Sequence, residues 1–224
     1  RGVPPGAWRW LLAAWALLIL VGAGLVAMHW GELTADITAR VFTSENMLIL
    51  ALVYPLLKAF HEFGHALAVR ALGGHCREMG LMFLVFIPVP YVDASESVTL
   101  PNKWQRMLVG AAGMIAELGL AAIAVWLWTA VSGGVTKAVL HQVVILAGVT
   151  TLVFNANPLL SFDGYFILSD ALEIPNLAQR ANRYVGYLAR RYLFRAEARP
   201  PLHLSRREPL WLTAYALGSV VYRT

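Results

Sequence analysis

Apolar residues in this chain gather into long runs rather than into the alternating or one-faced patterns of a soluble core. Runs at Trp8 to Met28, Met47 to Leu72, Met107 to Val131 and Ala138 to Phe154 each approach the roughly 20 residues that carry a helix across a bilayer. A fifth run, Leu210 to Val221, follows Pro209 and is shorter; it predicts the start of a further transmembrane helix and the expectation that the chain is part of a longer one. Between the second and third runs, Gly80 to Tyr91 is apolar, β-prone and closed by Pro88 and Pro90, which predicts a re-entrant strand or hairpin. The pattern therefore predicts an all-α polytopic membrane protein with four to five transmembrane helices and a re-entrant β-like segment between the second and third. Its expected divisions are an N-terminal anchor and extracytoplasmic loop (1–44), a membrane core (45–175) and a basic amphipathic cytoplasmic segment leading into the further helix (176–224).

Composition agrees with this division. Mean hydropathy is +0.60 and only 14% of residues are charged, against about a quarter in soluble domains. The first run exceeds a usual signal-peptide apolar stretch, has aromatics at both ends and lacks a clean small-residue cleavage site after it, so a retained anchor is favoured over a cleaved signal. The single cysteine, Cys76, excludes an intramolecular disulfide and any multi-cysteine zinc site.

The net charge of +5 is unevenly placed. Arg1 and Arg9 precede the first span; Arg70, Arg77, Lys103 and Arg106 separate the second from the third; Arg180, Arg183, Arg190, Arg191, Arg195, Arg199, Arg206 and Arg207 follow the fourth. Opposite-side loops hold Arg40 and Lys137 beside Glu32, Asp36 and Glu45. By the positive-inside rule the N-terminus and the arginine-rich segments are cytoplasmic. Arginines interleaved with Leu177, Tyr184, Tyr187, Leu188 and Leu193 between Asn176 and Phe194 predict a basic amphipathic helix on a lipid surface. No nucleic-acid fold signature accompanies the charge, so no nucleic-acid partner is expected.

Against this apolar background stands His61-Glu62-Phe63-Gly64-His65, near the inward end of the second run. Residues four apart share a helix face, so His61 and His65 can present their imidazoles to one metal ion. Glu62 follows the first of them, where it can take a proton from water activated by the metal. Chance would place such a motif in about one chain in a hundred of this length and composition. Ionisable residues in membrane spans are costly and mark function.

A catalytic zinc uses three protein ligands and an open position. The fourth run also points inward and is followed by Asn155-Ala156-Asn157-Pro158 and then Phe162-Asp163-Gly164, at the depth of the two histidines. Pro158 disrupts helix, and irregular backbone at that depth must be packed in protein or line a wet cavity. Asp163 is the candidate third ligand, its charge compensated by the cation; the competing role is a helix cap before Gly164. His141 is expected near the opposite membrane face as a helix-contact residue, and His75, beyond the Gly73-Gly74 break, as a loop histidine. Small residues Gly110, Ala112, Gly113, Ala116 and Gly119 in the third run read as ordinary close-packing positions without chemistry.

With these pieces in hand, the chain resembles the site-2 protease family of intramembrane zinc metalloproteases. The resemblance rests on His61-Glu62-Phe63-Gly64-His65-Ala66-Leu67, Asn157-Pro158 and Phe162-Asp163-Gly164, separated by one apolar hairpin of two spans. It covers roughly 55–175 and is strongest to a bacterial branch of peptide zinc metalloproteases, whose membrane unit is often joined to an extracytoplasmic domain. The resemblance implies zinc bound by His61, His65 and Asp163, Glu62 as general base, and Asn157 holding substrate or the oxyanion. It also implies an intramembrane endopeptidase of the bacterial inner membrane, acting on membrane-embedded or membrane-associated peptides with its site toward the cytoplasm. The chain departs from the family where a Gly-Pro and later Asn are common in the third span: here stands Gly113-Met114-Ile115-Ala116-Glu117. Glu117 is left with three roles: bonding across the bundle, supporting a ligand histidine, or carrying protons.

A helical substrate must locally unwind to be cut. An exposed edge of the 80–91 segment offers replacement main-chain bonds, unless that segment is simply a packed cover over the site. Two other functions compete: a catalytically silent membrane platform of a peptide-export or adaptor assembly, and a metal transporter. Retention of Glu62 and Asp163 disfavours the first, and the nearly nonpolar stretches Leu11 to Leu25 and Leu118 to Trp128 disfavour the second.

Overall fold

A computed structural model describes residues 7–35, 43–84, 87–193, 205 and 207–223. Of the positions used above, Arg1, Asp36, Arg40, Val85, Phe86, Phe194, Arg195, Arg199 and Arg206 lie outside the described residues. The chain is an all-α polytopic bundle with one hairpin. Its elements are α1 (Ala7–Met28), α2 (Trp30–Thr34), α3 (Ser44–Ala71), β1 (Met79–Leu84), β2 (Ile87–Val92), α4 (Lys103–Ala130), α5 (Gly134–Gly148), α6 (Asp163–Leu172), α7 (Leu177–Leu188) and α8 (Glu208–Arg223). A 3-10 turn spans Ser95–Thr99, and π-helical segments continue α5 over Val149–Asn155 and α7 over Ala189–Leu193. Among the described residues, four helical stretches are long and apolar enough to cross a membrane: Arg9–Met28, Asn46–Ala71, Lys103–Ala130 and Gly134–Asn155.

Local chemistry sets the boundaries of these elements. Thr43 caps α3 by accepting from the Asn46 amide. The helix tolerates Pro55 in its interior, as membrane helices do when neighbours satisfy the freed carbonyl. It ends where Gly73 adopts φ +88 and Gly74 donates back to the Val69 carbonyl at 2.9 Å, a left-handed stop that favours glycine. Asn102 caps α4 through the Trp104 amide at 3.0 Å. Spans three and four begin four residues earlier than their apolar runs, because these helices extend into polar flanks.

The hairpin is antiparallel, with Met79 opposite Val92 and Leu84 opposite Ile87. Pro88 and Pro90 face Phe83 and Leu81 and have no N–H to give. Alternate residues of a strand direct their N–H groups to opposite sides. The ladder therefore runs through residues 87, 89 and 91, and the free edge of β2 lacks donors at both prolines. The free edge of β1 carries no proline. Behind the hairpin, Glu96 accepts from the His75 amide at 2.7 Å and from Arg77 Nε at 3.1 Å, and these bonds hold its carboxyl below the usual range.

At the heart of the bundle α4 packs on α1, α3, α5 and α6. At one end Leu33 of α2 joins Ala124, Val125, Trp128 and Val144 in a buried cluster. His141 lies there, its Nε2 2.9 Å from the Leu33 carbonyl, which makes it a helix-contact residue. At the other end Tyr165, Leu177, Ala181, Leu212, Tyr215 and Ala216 unite α6, α7 and α8. Part of the apolar face of α7 is thus covered by α8, and an Arg180–Glu208 ion pair ties the same two helices.

Helices α3 and α4 lie in close contact at Gly64. A Cβ there would meet the Ala112 carbonyl oxygen at 2.7 Å, and backbone cannot yield as a side-chain tip can. Gly64→Ala is expected to separate the two helices and cost about 1–3 kcal/mol, read as a lower thermal midpoint of the detergent-purified protein relative to Gly148→Ala, where nothing lies within 4 Å.

Candidate metal centre

His61 and His65 lie on one face of α3, four residues apart, and both are buried, at 4% and 8% exposure. Each ring is oriented through its Nδ1. That of His61 meets Glu117 Oε2 at 2.8 Å, and that of His65 meets the Val109 carbonyl at 2.7 Å. With acceptors at both Nδ1 positions each ring carries its Nδ1 proton, so each imidazole in its neutral form would offer the Nε2 lone pair to a metal ion. The two Nε2 atoms nevertheless face one another at 3.2 Å.

Asp163 completes the group from a different element. After α5 the backbone widens into the π segment Val149–Asn155, turns through Pro158 and restarts as helix at Asp163. Asp163 is the first helical residue of α6, and the N-cap position is held by Phe162. Asp163 Oδ2 stands 3.0 Å from His61 Nε2, and its Oδ1 3.5 Å from His65 Nε2. One ligand atom from each of the three residues lies within 4.8 Å of the others.

Three observations test whether a metal suits this cluster. Donors at about 2.0–2.1 Å from zinc in a tetrahedron are separated by about 3.3–3.4 Å; His61 Nε2 lies 3.2 Å from His65 Nε2 and 3.0 Å from Asp163 Oδ2, and His65 Nε2 lies 3.5 Å from the other oxygen, Oδ1. Asp163 Oδ2 is buried without any hydrogen-bond partner, which is costly unless a charge meets it. Finally, Gly113 of α4 stands against the two imidazoles: a Cβ there would lie 2.5 Å from His65 Nε2 and closer still to His61 Nε2. The small-residue position read from the sequence is thus where α4 comes close to both histidines. The donor set fits a divalent zinc ion.

Glu62 follows His61 on α3 and is partly exposed beside the group. The β2 strand packs along α3, and the Val92 backbone comes within interaction range of the Glu62 carboxylate. Asn157 sits in the turn before Pro158, where its Oδ1 accepts from the Leu159 amide at 2.9 Å. His75 lies apart, paired at 3.6 Å with Glu96. A cavity of about 640 Å³ between α1, α4 and α5 is apolar and also separate from the cluster.

Three neighbours of the cluster escaped the sequence reading. Lys58 of α3 lies 3.4 Å from both Glu117 oxygens, Thr150 donates to Glu117 Oε1, and Asn155 Nδ2 reaches Oε2 at 3.5 Å. Lys58 carried a signal, a cation inside an apolar run one turn before His61. Thr150 and Asn155 carried none, since their approach depends on the π-helical widening of the fourth span.

Residues 47–144 match the family model described as Peptidase family M50, the site-2 protease family. The matched stretch holds His61, Glu62, His65, Gly113 and Glu117; Thr150, Asn155 and Asp163 lie beyond it. No curated protein and no solved structure matches the chain.

Gly113→Ala tests this close approach directly. The variant is expected to displace the two rings and to lose at least about tenfold in zinc affinity, measured by competition with a chromogenic chelator on the folded protein.

Proposed function

We propose that this chain, whose residues 47–144 match the model of Peptidase family M50, is a zinc endopeptidase hydrolysing peptide bonds of membrane-embedded or membrane-associated substrates at His61, His65 and Asp163. The family match and four candidate spans indicate an integral membrane metalloprotease of the site-2 type. The observation that supports the finer reading is the convergence of His61, His65 and Asp163, with one possible ligand atom from each within 4.8 Å of the others and Asp163 Oδ2 buried without a hydrogen-bond partner.

Zinc, when bound, supplies Lewis acidity and lowers the pKa of water to about 7. Glu62 accepts the proton from the attacking water and passes it to the amine that leaves, so that water is added across the peptide bond and the carboxylate is regenerated. His61, His65 and Asp163 hold the ion and keep one side of it open to substrate. Asn157 is assigned to the substrate only through its Nδ2, because Oδ1 is engaged in the turn.

Substrate must reach the site unwound, and the hairpin offers an edge. With Pro88 and Pro90 removing donors from β2, an extended segment pairs along β1, whose outward N–H groups belong to residues 79, 81 and 83. The N-terminus and the arginine-rich segment after the fourth span lie in the cytoplasm of a bacterial cell, the protein in its inner membrane and the site toward the cytoplasmic side, on the positive-inside distribution of arginines.

Purified wild type and Glu62→Gln are each expected to hold about one zinc, with turnover of a membrane-tethered peptide in wild type alone. Equal turnover would remove Glu62 from the chemistry, and zinc without turnover on any peptide would favour the silent platform. Leu81→Pro deletes an outward N–H and is expected to raise KM for a membrane-tethered substrate while leaving zinc content unchanged. Met82→Pro deletes a ladder donor and is expected to unfold the hairpin itself.

A further inference from the structure

Glu117 sits in the middle of α4 with its side chain fully buried at 0% exposure. Partners reach it from two other elements. From α3 come His61 Nδ1 at 2.8 Å and Lys58 Nζ at 3.4 Å; from the π segment come Thr150, bonded to Oε1, and Asn155 at 3.5 Å from Oε2. The α3 helix carries both histidines of the cluster. The π segment is the start of the path that ends at Asp163. One carboxylate therefore joins the element that presents two ligands to the element that leads to the third.

We infer that Glu117, held by Lys58, is a positioning residue for the metal centre: it fixes the His61 ring with Nε2 toward Asp163 and clamps the fourth span against the second. This inference rests on the reading of His61, His65 and Asp163 as metal ligands. Bundle stability does not by itself explain such a group. A buried ion pair is commonly no more stabilising than apolar residues of the same volume, and acids within membrane spans are retained for function.

The two histidines are also supported unequally. His65 rests on a neutral backbone carbonyl, whereas His61 rests on a carboxylate, which makes an imidazole a stronger donor to a cation. Lys58, three residues before His61 on the same face, cancels the charge of Glu117. The Lys58–Glu117 pair is then neutral, and the charge of a bound divalent ion is left to Asp163 and the open position.

The test is zinc affinity by chelator competition, together with the visible absorption of the cobalt-substituted protein, in wild type, Glu117→Gln and Thr150→Val. Glu117→Gln keeps the volume and removes the charge. It is expected to weaken zinc binding about 10–100-fold and to change the cobalt band, both read on the variant that is recovered as folded protein. Thr150→Val is expected to produce a smaller loss in the same direction. Wild-type affinity and an unchanged cobalt spectrum in Glu117→Gln would overturn the inference and leave the proposed peptidase site standing. Failure of wild type to bind either metal would instead overturn the metal site itself. Should Glu117→Gln not accumulate as folded protein, Lys58→Met provides the same readout without touching the carboxylate, and wild-type affinity there would overturn the positioning role.

Discussion

Two imidazole nitrogens and a carboxylate converge inside an apolar bundle: His61 Nε2 stands 3.2 Å from His65 Nε2 and 3.0 Å from Asp163 Oδ2, and His65 Nε2 stands 3.5 Å from Asp163 Oδ1. Without a positive charge between them such atoms repel, and water is scarce at that depth to relieve them. The remaining architecture is arranged so that they cannot move apart. Nδ1 of each histidine is anchored behind the ring, Asp163 is carried to the spot by a broken helix, and Gly113 presents no side chain in front. A divalent cation held by the three residues would resolve all three constraints at once.

Close helix contact makes this geometry available. Gly64 brings α3 onto the Ala112 carbonyl of α4, and that contact sets Gly113 one residue further along against the imidazoles. Membrane helices gain little from burying apolar surface against one another, since lipid is equally apolar. Their association depends on packing and on polar bonds across the interface. The Lys58–Glu117–His61 network and the Arg106–Asp170 pair at 2.7 Å supply such bonds, the first at the centre of α4 and the second near its start.

The π-helical continuation of α5 has a comparable role. A π segment displaces the residues after it relative to a regular helix, and such segments recur at functional sites. Here it turns Thr150 and Asn155 toward Glu117 and delivers the chain to the Pro158 turn, from which Asp163 restarts as helix. The hairpin on the other side of α3 is asymmetric for a simpler reason. Two prolines on one strand leave its partner as the edge with donors to share.

Much of this was legible from residue order. Apolar runs of bilayer length announced the four spans, two prolines after a β-prone run announced the hairpin, and His61, Glu62 and His65 announced one another because helical periodicity alone puts positions i and i+4 on one face. Asp163 was legible as a candidate through the matching direction of the second and fourth spans. Whether it capped a helix or faced the histidines was decided by the tertiary structure. So were the meaning of Gly113, which depends on what stands opposite it, and the partners of Glu117, drawn from segments 33 to 59 residues away in the chain. Periodicity is a local property of one helix and is written in sequence. Which faces meet, and which lone pairs are left pointing at one another, follows from packing several helices together, and no single segment contains that information.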